Sequence, residues 1–306
     1  MQGWYGSNGT GKPSLTGVGG FWEPSRSAPA MPEDVAPEGL ARGSGLNVAP
    51  ERLYQWESFA DPDDPSEPYS LQWFLAIEHQ RHRGSGRWIP QLLEFNRHAG
   101  ETLLGLGSGL GTDWLQYARH GAQVIACSQS AAELGLIRRN FQLRRLPGRF
   151  VQAEPTAVPL PDASVDVVCL SGVLHQVEDP PRVVAEVHRL LRPGGKVVAV
   201  VPAKYSLDWW RSLGRPERLE ASAGLLSGPF GMARCLTRFS ARRLRKLFVQ
   251  FEGCRVYKRQ LSRRELPWWL RGLPRSWWER LLGRLLILKG FKPVHALGAC
   301  PQRRAA

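Results

Sequence analysis

A run of alternating glycines follows a short apolar segment in the stretch LLGLGSGLGTD, residues 103–113. Glycine has no Cβ atom, so Gly107, Gly109 and Gly111 allow the backbone to turn tightly and to come close to a ligand. Where such a turn opens a helix, its N–H groups suit the polar and anionic parts of a nucleotide cofactor. The dinucleotide pattern G-x-G-x-x-G fails, because no glycine stands at its third position. The run therefore predicts a cofactor cradle of another type.

The hundred residues that begin at the glycine run alternate between apolar and amphipathic segments. Apolar segments bounded by turn residues predict strands that are buried on both faces. Amphipathic segments between them predict crossover helices, which makes the sheet mostly parallel. We therefore expect an α/β fold with a doubly wound sheet and helices on both faces. The predicted strands are 102–107, 122–127, 149–153, 165–172 and 196–202, and the predicted helices are 112–120, 131–143 and 180–191.

A second stretch points the same way, VPLPDASVDVVCLSGVLHQVEDPPRVVAEVHRLLRPGGKVVAVVP at residues 158–202. Together with the glycine run, it resembles the class I S-adenosylmethionine-dependent methyltransferases of the small-molecule type, from about Gly100 to Pro202. The resemblance implies a seven-stranded, mostly parallel Rossmann-like sheet and S-adenosyl-L-methionine as the cofactor. It also implies methyl transfer by in-line displacement to a small-molecule acceptor, for which a lipid-like molecule is one option.

The resemblance assigns roles to residues that follow the predicted strands. It places the glycine run under the methionine and ribose of the cofactor, the next pair at the ribose hydroxyls, and a third pair at the adenine. The cofactor-binding residues that it implies are Gly107, Ser108, Gly109, Gly111, Ser128, Gln129, Glu154, Pro155, Ser171 with Gly172, and Arg81 as a partner for the cofactor's carboxylate. No metal site is expected.

Two residues are candidates for catalysis. His175 follows the fourth strand and is the best-placed general base, although a histidine that merely lines the pocket is an equal alternative. Tyr205 follows the fifth strand and is a candidate to line the acceptor pocket or to belong to a lid. Asp113 is expected to be a first-turn helix acid favoured by the helix dipole.

The chain departs from the family pattern at the carboxylates that normally end the first two strands. Gly105 and Ser128 stand there, and the third acid is lengthened to Glu154. A neutral group in place of a carboxylate costs about 1–2 kcal/mol of binding free energy, or roughly ten- to thirty-fold in affinity. Gly105 also leaves a void that its neighbours would have to fill.

Three functions remain open from these departures. The first is an active methyltransferase whose backbone contacts hold the cofactor. The second is a catalytically inactive methyltransferase-fold paralogue that acts as a binding or scaffolding module. The third is a pocket for another nucleotide, because Ser128 with Arg138 and Arg139 faintly resembles a site for a phosphorylated ribose.

Composition divides the chain into four parts. Residues 1–50 are rich in Gly, Pro and Ser and predict a disordered tail, and residues 51–100 predict a helical cap. Residues 101–202 form the predicted cofactor-binding core, and residues 203–306 complete the sheet with a basic, Trp-rich cap. With no secretory signal and no apolar stretch long enough to span a bilayer, we expect a cytoplasmic protein with reduced cysteines.

The last third of the chain carries the positive charge. Residues 203–306 hold 23 Lys and Arg against 6 Asp and Glu, a net charge of +17, so the positive excess of the chain, +14 in all, comes from this part. We expect a cap whose aromatic residues pack on the sheet while its arginines are solvated. Peripheral contact with a membrane surface, helped by the apolar stretch 281–290, is the second interpretation, and nucleic acid is not expected. The tryptophans concerned are Trp209, Trp210, Trp268, Trp269, Trp277 and Trp278.

Overall fold

The computed structural model of this 306-residue chain describes residues 67–83, 86–107, 109–211, 237–261, 265, 272 and 274–294, with the backbone alone at 211 and 275. All of these residues belong to one compact unit. The predictions for the tail at 1–50, for Ser108 and for the pair Trp268 and Trp269 lie outside the described residues.

Seven described strands form a single sheet. They are β1 (Thr102–Gly107), β2 (Gln123–Ser128), β3 (Arg149–Gln152), β4 (Val165–Ser171), β5 (Leu191–Pro202), β6 (Glu252–Arg259) and β7 (Leu285–Phe291). Their spatial order is β3-β2-β1-β4-β5-β7-β6. Strands β1 to β6 run in one direction, and β7, between β5 and β6, runs in the opposite direction. The chain steps outward from β1 to β3 and returns to β4 on the far side of β1, so the ligand crevice of this doubly wound sheet falls where β1 and β4 end.

The described helices cover both faces of the sheet. They are α1 (Leu71–His82), α2 (Ile89–Leu93), α3 (Thr112–Arg119), α4 (Ala131–Leu143), α5 (Pro180–Leu190), α6 (Leu207–Arg211), α7 (Ala241–Leu247) and α8 (Arg275–Leu282). Serine residues cap three of these helices: the hydroxyl of Ser70, of Ser130 and of Ser240 each accepts the N–H three residues further on. These caps satisfy donors that a helix leaves unpaired at its start.

Alternate residues of the central strands bury both faces of the sheet. Leu103, Val167 and Val198 belong to the cluster that also holds Trp114, Tyr117 and Ile137 from the helices. Leu104 and Val168, which point to the other face, are also fully buried. Strands covered on both faces need continuous apolar sequence, which is why these segments show no polar alternation.

The sequence prediction was wrong about two segments near the end of the sheet. The strand β5 begins at Leu191 rather than after the Pro-Gly-Gly sequence, and a register shift between Val165 and Val167 of β4 takes up the extra residues. The stretch Leu285–Phe291 is strand β7, and its residues Leu285 to Leu288 are buried between β5 and β6. This apolar part of the stretch is therefore core and cannot form a membrane-facing surface.

The place of the missing first carboxylate is filled. A Cβ atom added to Gly105 would lie 2.4 Å from the indole ring of Trp114, which comes from α3 and is 2% exposed. The indole thus occupies the void that the sequence predicted at Gly105. The central strand carries glycine here because an aromatic ring lies directly on its backbone.

We therefore expect Gly105→Ala to destabilise the protein. The added methyl group must displace Trp114 in a close-packed core, which costs about 1–3 kcal/mol of unfolding free energy. Urea denaturation measures the change. Gly272→Ala is the matched control, because a Cβ atom there meets nothing within 4 Å. Adding Trp114→Leu should recover part of the loss, and a Gly105→Ala variant as stable as the control would contradict this packing argument.

Candidate functional site

Four parallel strands end side by side at the edge where the implied cofactor residues lie. Gly107 of β1 is in register with Ser171 of β4, and Ser128 of β2 is in register with Gln152 of β3. The glycine turn leads from β1 into α3, whose N-cap is Gly111. The fold therefore brings the residues predicted from the first four strands to one edge of the sheet.

The glycine turn has room for backbone only. A Cβ atom on Gly107 would lie 1.9 Å from the carbonyl oxygen of Ser171, and one on Gly111 would lie 2.7 Å from Ile137. Gly111 also has a φ of +66°, a left-handed conformation that glycine adopts without penalty. Two independent constraints, lack of space and backbone conformation, therefore require glycine in this turn.

A carboxylate lies beside Ser128 although the strand itself ends without one. The buried Ser128 hydroxyl donates a hydrogen bond of 2.9 Å to Oε2 of Glu133, in the first turn of α4. The same hydroxyl accepts the N–H of Ser130 at 3.3 Å. Ser128 thus links the start of α4 to the carboxylate of Glu133. Sequence reasoning missed Glu133, and its position three residues after the N-cap Ser130 was the signal that could have found it.

The residues implied for the ribose hydroxyls and for the adenine lie around the end of β3. The N–H of Ala153 donates to the carbonyl of Ser128 at 3.2 Å, and Gln152 donates its side-chain amide to the carbonyl of Gln129 at 3.3 Å. Glu154 is exposed, whereas Pro155 is buried. The backbone at this corner is tied down, and the Glu154 carboxylate faces solvent.

Arg81 is held by Asp113. Its Nε donates to Oδ1 of Asp113 at 2.6 Å, a second guanidinium nitrogen pairs with Oδ2, and both side chains are buried. Burial alone would raise the pKa of Asp113, but the charge of Arg81 and hydrogen bonds from His82 and Arg81 outweigh it and hold the pKa well below its usual value. Asp113 is therefore more than a first-turn helix acid, because it ties α1 to the start of α3. A role for Arg81 at a cofactor carboxylate stays a prediction.

His175 lies beyond the end of β4, which finishes at Ser171 and is followed by Gly172 with a φ of +81°. The imidazole is buried, and its Nδ1 has no hydrogen-bond partner among the described residues. Burial lowers the pKa of His175 to about 4, and the positive charge of Arg238 contributes to the shift. At neutral pH the ring is therefore uncharged and open to accept or donate one hydrogen bond.

Residues 237–239 form a segment that joins the ends of β4 and β5, and Tyr205 lies on the β5 side of it. In that segment Thr237 donates its N–H to the carbonyl of His175, and Phe239 accepts the N–H of Lys204. The Tyr205 ring is 45% exposed and packs edge-on against Trp209. The structure brings His175 and Tyr205 to the same edge, with Tyr205 at its exposed rim.

The described residues contain neither a membrane-spanning helix nor a metal-binding group. None of the described helices has the length and apolar character that crossing a membrane requires. Within the same part of the chain, no group of three His, Cys, Asp or Glu side chains is arranged to hold a metal ion.

Comparison with known families identifies the core. Residues 103–199 match the family described as "Methyltransferase domain". The chain is 29% identical over 156 residues to a demethylmenaquinone methyltransferase of Thermus thermophilus, which covers 49% of this chain and 71% of that protein. It is 38% identical over 104 residues to the protein of that name from Clavibacter sepedonicus, covering 33% of this chain and 40% of the relative.

Other comparisons extend the same picture. A malonyl-[acyl-carrier protein] O-methyltransferase of Serratia marcescens is 31% identical over 120 residues, covering 38% of this chain and 46% of that protein. Among solved structures, a chain from the complex of the Trm112 methyltransferase activator with a methyltransferase of Haloferax volcanii has a TM-score of 0.50 at 19% identity. The match covers 74% of this chain and 96% of that one, and it shows a shared fold.

The core of this chain belongs to the class I S-adenosylmethionine-dependent methyltransferases. The predicted family and the predicted Rossmann-like seven-stranded sheet are both confirmed. The chain spans 71% of the Thermus relative but only 40–54% of the lengths of four further relatives. The family match itself covers residues 103–199.

We expect Asp113→Asn to destabilise the protein strongly. The substitution leaves the Arg81 charge buried with a neutral partner, which costs about 3 kcal/mol or more of unfolding free energy. Because the pKa of Asp113 lies below the ordinary value of 3.8, the ion pair contributes fully above about pH 5 and is lost as pH falls below 4. Urea denaturation at pH 7 and near pH 2 measures both effects.

Asp162→Asn is the matched control for this change. Asp162 pairs with Arg189, but its side chain is 76% exposed, so its loss should cost less than about 1 kcal/mol. Equal losses in the two variants would show that the buried pair has no special role.

Proposed function

We propose that this protein binds S-adenosyl-L-methionine at the ends of β1, β2 and β4 and transfers its methyl group to a small, lipid-like acceptor. The cofactor, when bound, supplies an electrophilic methyl group. The chain's own residues must bind and orient the two reactants and exclude water from them. The observation that carries the proposal is the carboxylate of Glu133 at the Ser128 hydroxyl, which restores an acid beside the glycine turn.

The crevice fits a cofactor of this kind. The backbone at Gly107 and Gly111 has no room for side chains, which leaves the N–H groups at the start of α3 open toward a ligand. Ser128 alone would offer a ribose hydroxyl one neutral partner. Glu133 adds a charged acceptor within hydrogen-bond distance of the Ser128 hydroxyl. Hydrogen bonds to a charged group are about twice as strong as neutral ones.

The two alternative functions are less well supported by these contacts. The inactive-paralogue interpretation rests on missing acids, and Glu133 supplies one of them. A phosphorylated ribose would place its negative charge beside the Glu133 carboxylate. The arginines that favoured such a ligand are engaged elsewhere: Arg138 stacks on the Phe150 ring at 5.4 Å, and Arg139 donates to the carbonyl of Tyr69 at 3.0 Å.

His175 is assigned to positioning the acceptor and, where the acceptor begins protonated, to taking its proton. A general base is needed only in the second case. With a pKa of about 4, the His175 ring is a weak base, so orientation of an acceptor that is already deprotonated is the role that its chemistry favours. Tyr205 is proposed to line the exposed rim of the same pocket.

The names of the relatives support a lipid-like acceptor, since several are demethylmenaquinone methyltransferases. Exposed apolar side chains near the acceptor edge agree with this. Trp210, Trp277 and Leu281 are 53%, 64% and 61% exposed. Lys258 donates to the carbonyls of both Tyr205 and Leu281, which brings the two segments together. We propose that this group contacts a membrane surface from which the acceptor is drawn.

The cofactor proposal is tested by calorimetric titration of the full chain with S-adenosylhomocysteine. We expect Glu133→Gln to weaken binding about tenfold, because glutamine preserves the shape and the helix start but removes the charge. Glu252→Gln, an exposed residue at the opposite end of the sheet, should change nothing. Thermal unfolding without ligand separates a loss of affinity from a loss of stability.

A charge swap makes the test specific. Ser128→Asp alone places two carboxylates side by side and should bind no better than the natural chain, because one acid must take up a proton. Ser128→Asp combined with Glu133→Gln returns a single acid to the end of β2 and should restore affinity to within about threefold. Unchanged binding by Glu133→Gln would remove Glu133 from the site. Absence of binding by every variant would favour the scaffolding function.

The membrane contact is tested by sedimentation with phosphatidylglycerol vesicles. Changing Trp277 and Leu281 together to Ser should reduce the bound fraction and weaken binding about tenfold or more, since two large apolar side chains no longer enter the interface. Val249→Ser, which changes another side chain that is 78% exposed, is the control. Equal binding by the two variants would show that Trp277 and Leu281 belong to the surface of a solvated cap.

A further inference from the structure

Arg238 has two buried guanidinium nitrogens and lies near His175. Arg238 is in the segment that joins the ends of β4 and β5, where the N–H of Thr237 donates to the carbonyl of His175 at 3.2 Å. One residue on, Phe239 donates its N–H to the carbonyl of Pro202 at 3.0 Å and accepts that of Lys204 at 2.7 Å. These backbone bonds on both sides fix the position of Arg238 at the acceptor edge.

Three nitrogen atoms at this place are buried without a partner in the described part of the chain. They are Nη1 and Nη2 of Arg238 and Nδ1 of His175. The two side chains are close enough for the charge of Arg238 to act on the imidazole. Buried polar atoms are nearly always hydrogen-bonded, and a buried charge without a counter-charge is strongly unfavourable. An unsatisfied group of this kind indicates a ligand.

The geometry points to a binding site for an oxyanion of the methyl acceptor, formed by Arg238 and His175. The planar guanidinium presents two N–H groups side by side, which matches the two oxygens of a carboxylate better than any neutral group. The neutral imidazole adds one hydrogen bond. The inference rests on the proposed function and narrows it: the acceptor carries a negatively charged oxygen, of which a carboxylate is the best match.

The site lies apart from the residues assigned to the ribose. Arg238 and His175 are at the ends of β4 and β5, whereas Ser128 and Glu133 are at the end of β2, with β1 between the two groups. An acceptor held at the first group would therefore face the crevice from the side opposite the ribose residues.

The test uses sodium benzoate and benzamide as probes, which have the same shape but differ in charge. We expect the full natural chain to bind benzoate at least about tenfold more tightly than benzamide by calorimetry. Arg238→Met should abolish this preference, and Arg238→Lys should retain part of it. Arg242→Met is the matched control, because Arg242 is an exposed arginine four residues further along the chain.

Stability provides the second readout. Because the buried Nη1 and Nη2 atoms of Arg238 have no partner among the described residues, Arg238→Met should unfold at the same temperature as the natural chain or at a higher one. A benzoate preference that survives in Arg238→Met would overturn the inference. So would a loss of several degrees in that variant, since it would show that Arg238 has a structural partner.

Titration of the same proteins with S-adenosylhomocysteine keeps the two proposals distinct. Arg238→Met should bind it within about threefold of the natural chain, because the residue is assigned to the acceptor. A natural chain that fails to bind S-adenosylhomocysteine but prefers benzoate would refute the methyltransferase function and retain the oxyanion site. The opposite result would retain the function and refute the site.

Discussion

The indole of Trp114 against the backbone of Gly105 is the contact around which the site is arranged. β1 is an interior strand of the sheet, between β2 and β4, and a side chain at position 105 would meet the ring at 2.4 Å. No carboxylate can stand there without displacing the core. The acid chemistry of the crevice must therefore come from elsewhere, and Glu133, in the first turn of α4, is where the structure provides it.

The residue next to Trp114 fixes the same helix from outside the sheet. Asp113 forms the buried ion pair with Arg81, so α3 is anchored on one side by packing and on the other by charge. A helix held at its first turn in two ways cannot drift along the sheet. The glycine turn that leads into it is then held in one conformation, which is the condition for a backbone cradle to bind a ligand with little loss of entropy.

The sequence predicted most of the fold and only part of the site. Helix α4 and strand β1 have the predicted bounds, because glycine turns and periodicity mark them locally. Strand β7 was missed because burial between β5 and β6 depends on partners distant in sequence. The same reason hid the contact of Trp114 with Gly105 and the juxtaposition of Arg238 with His175. Glu133 was hidden differently: a carboxylate moved from a strand end into a helix does not match a motif read position by position.

The charges at the strand ends suggest how the two halves of the crevice differ. Glu133 is negative at the end of β2, and Arg238 is positive beside the end of β5, three strand spacings away, or about 14 Å. Two partly exposed charges of opposite sign at this distance interact weakly with each other, so each is available to a ligand of its own. A ribose with its hydroxyl donors suits the first, and an oxyanion suits the second. In the proposed reaction the edge of one sheet would thus distinguish the two reactants by charge, because a swap of the reactants would place an anion against Glu133.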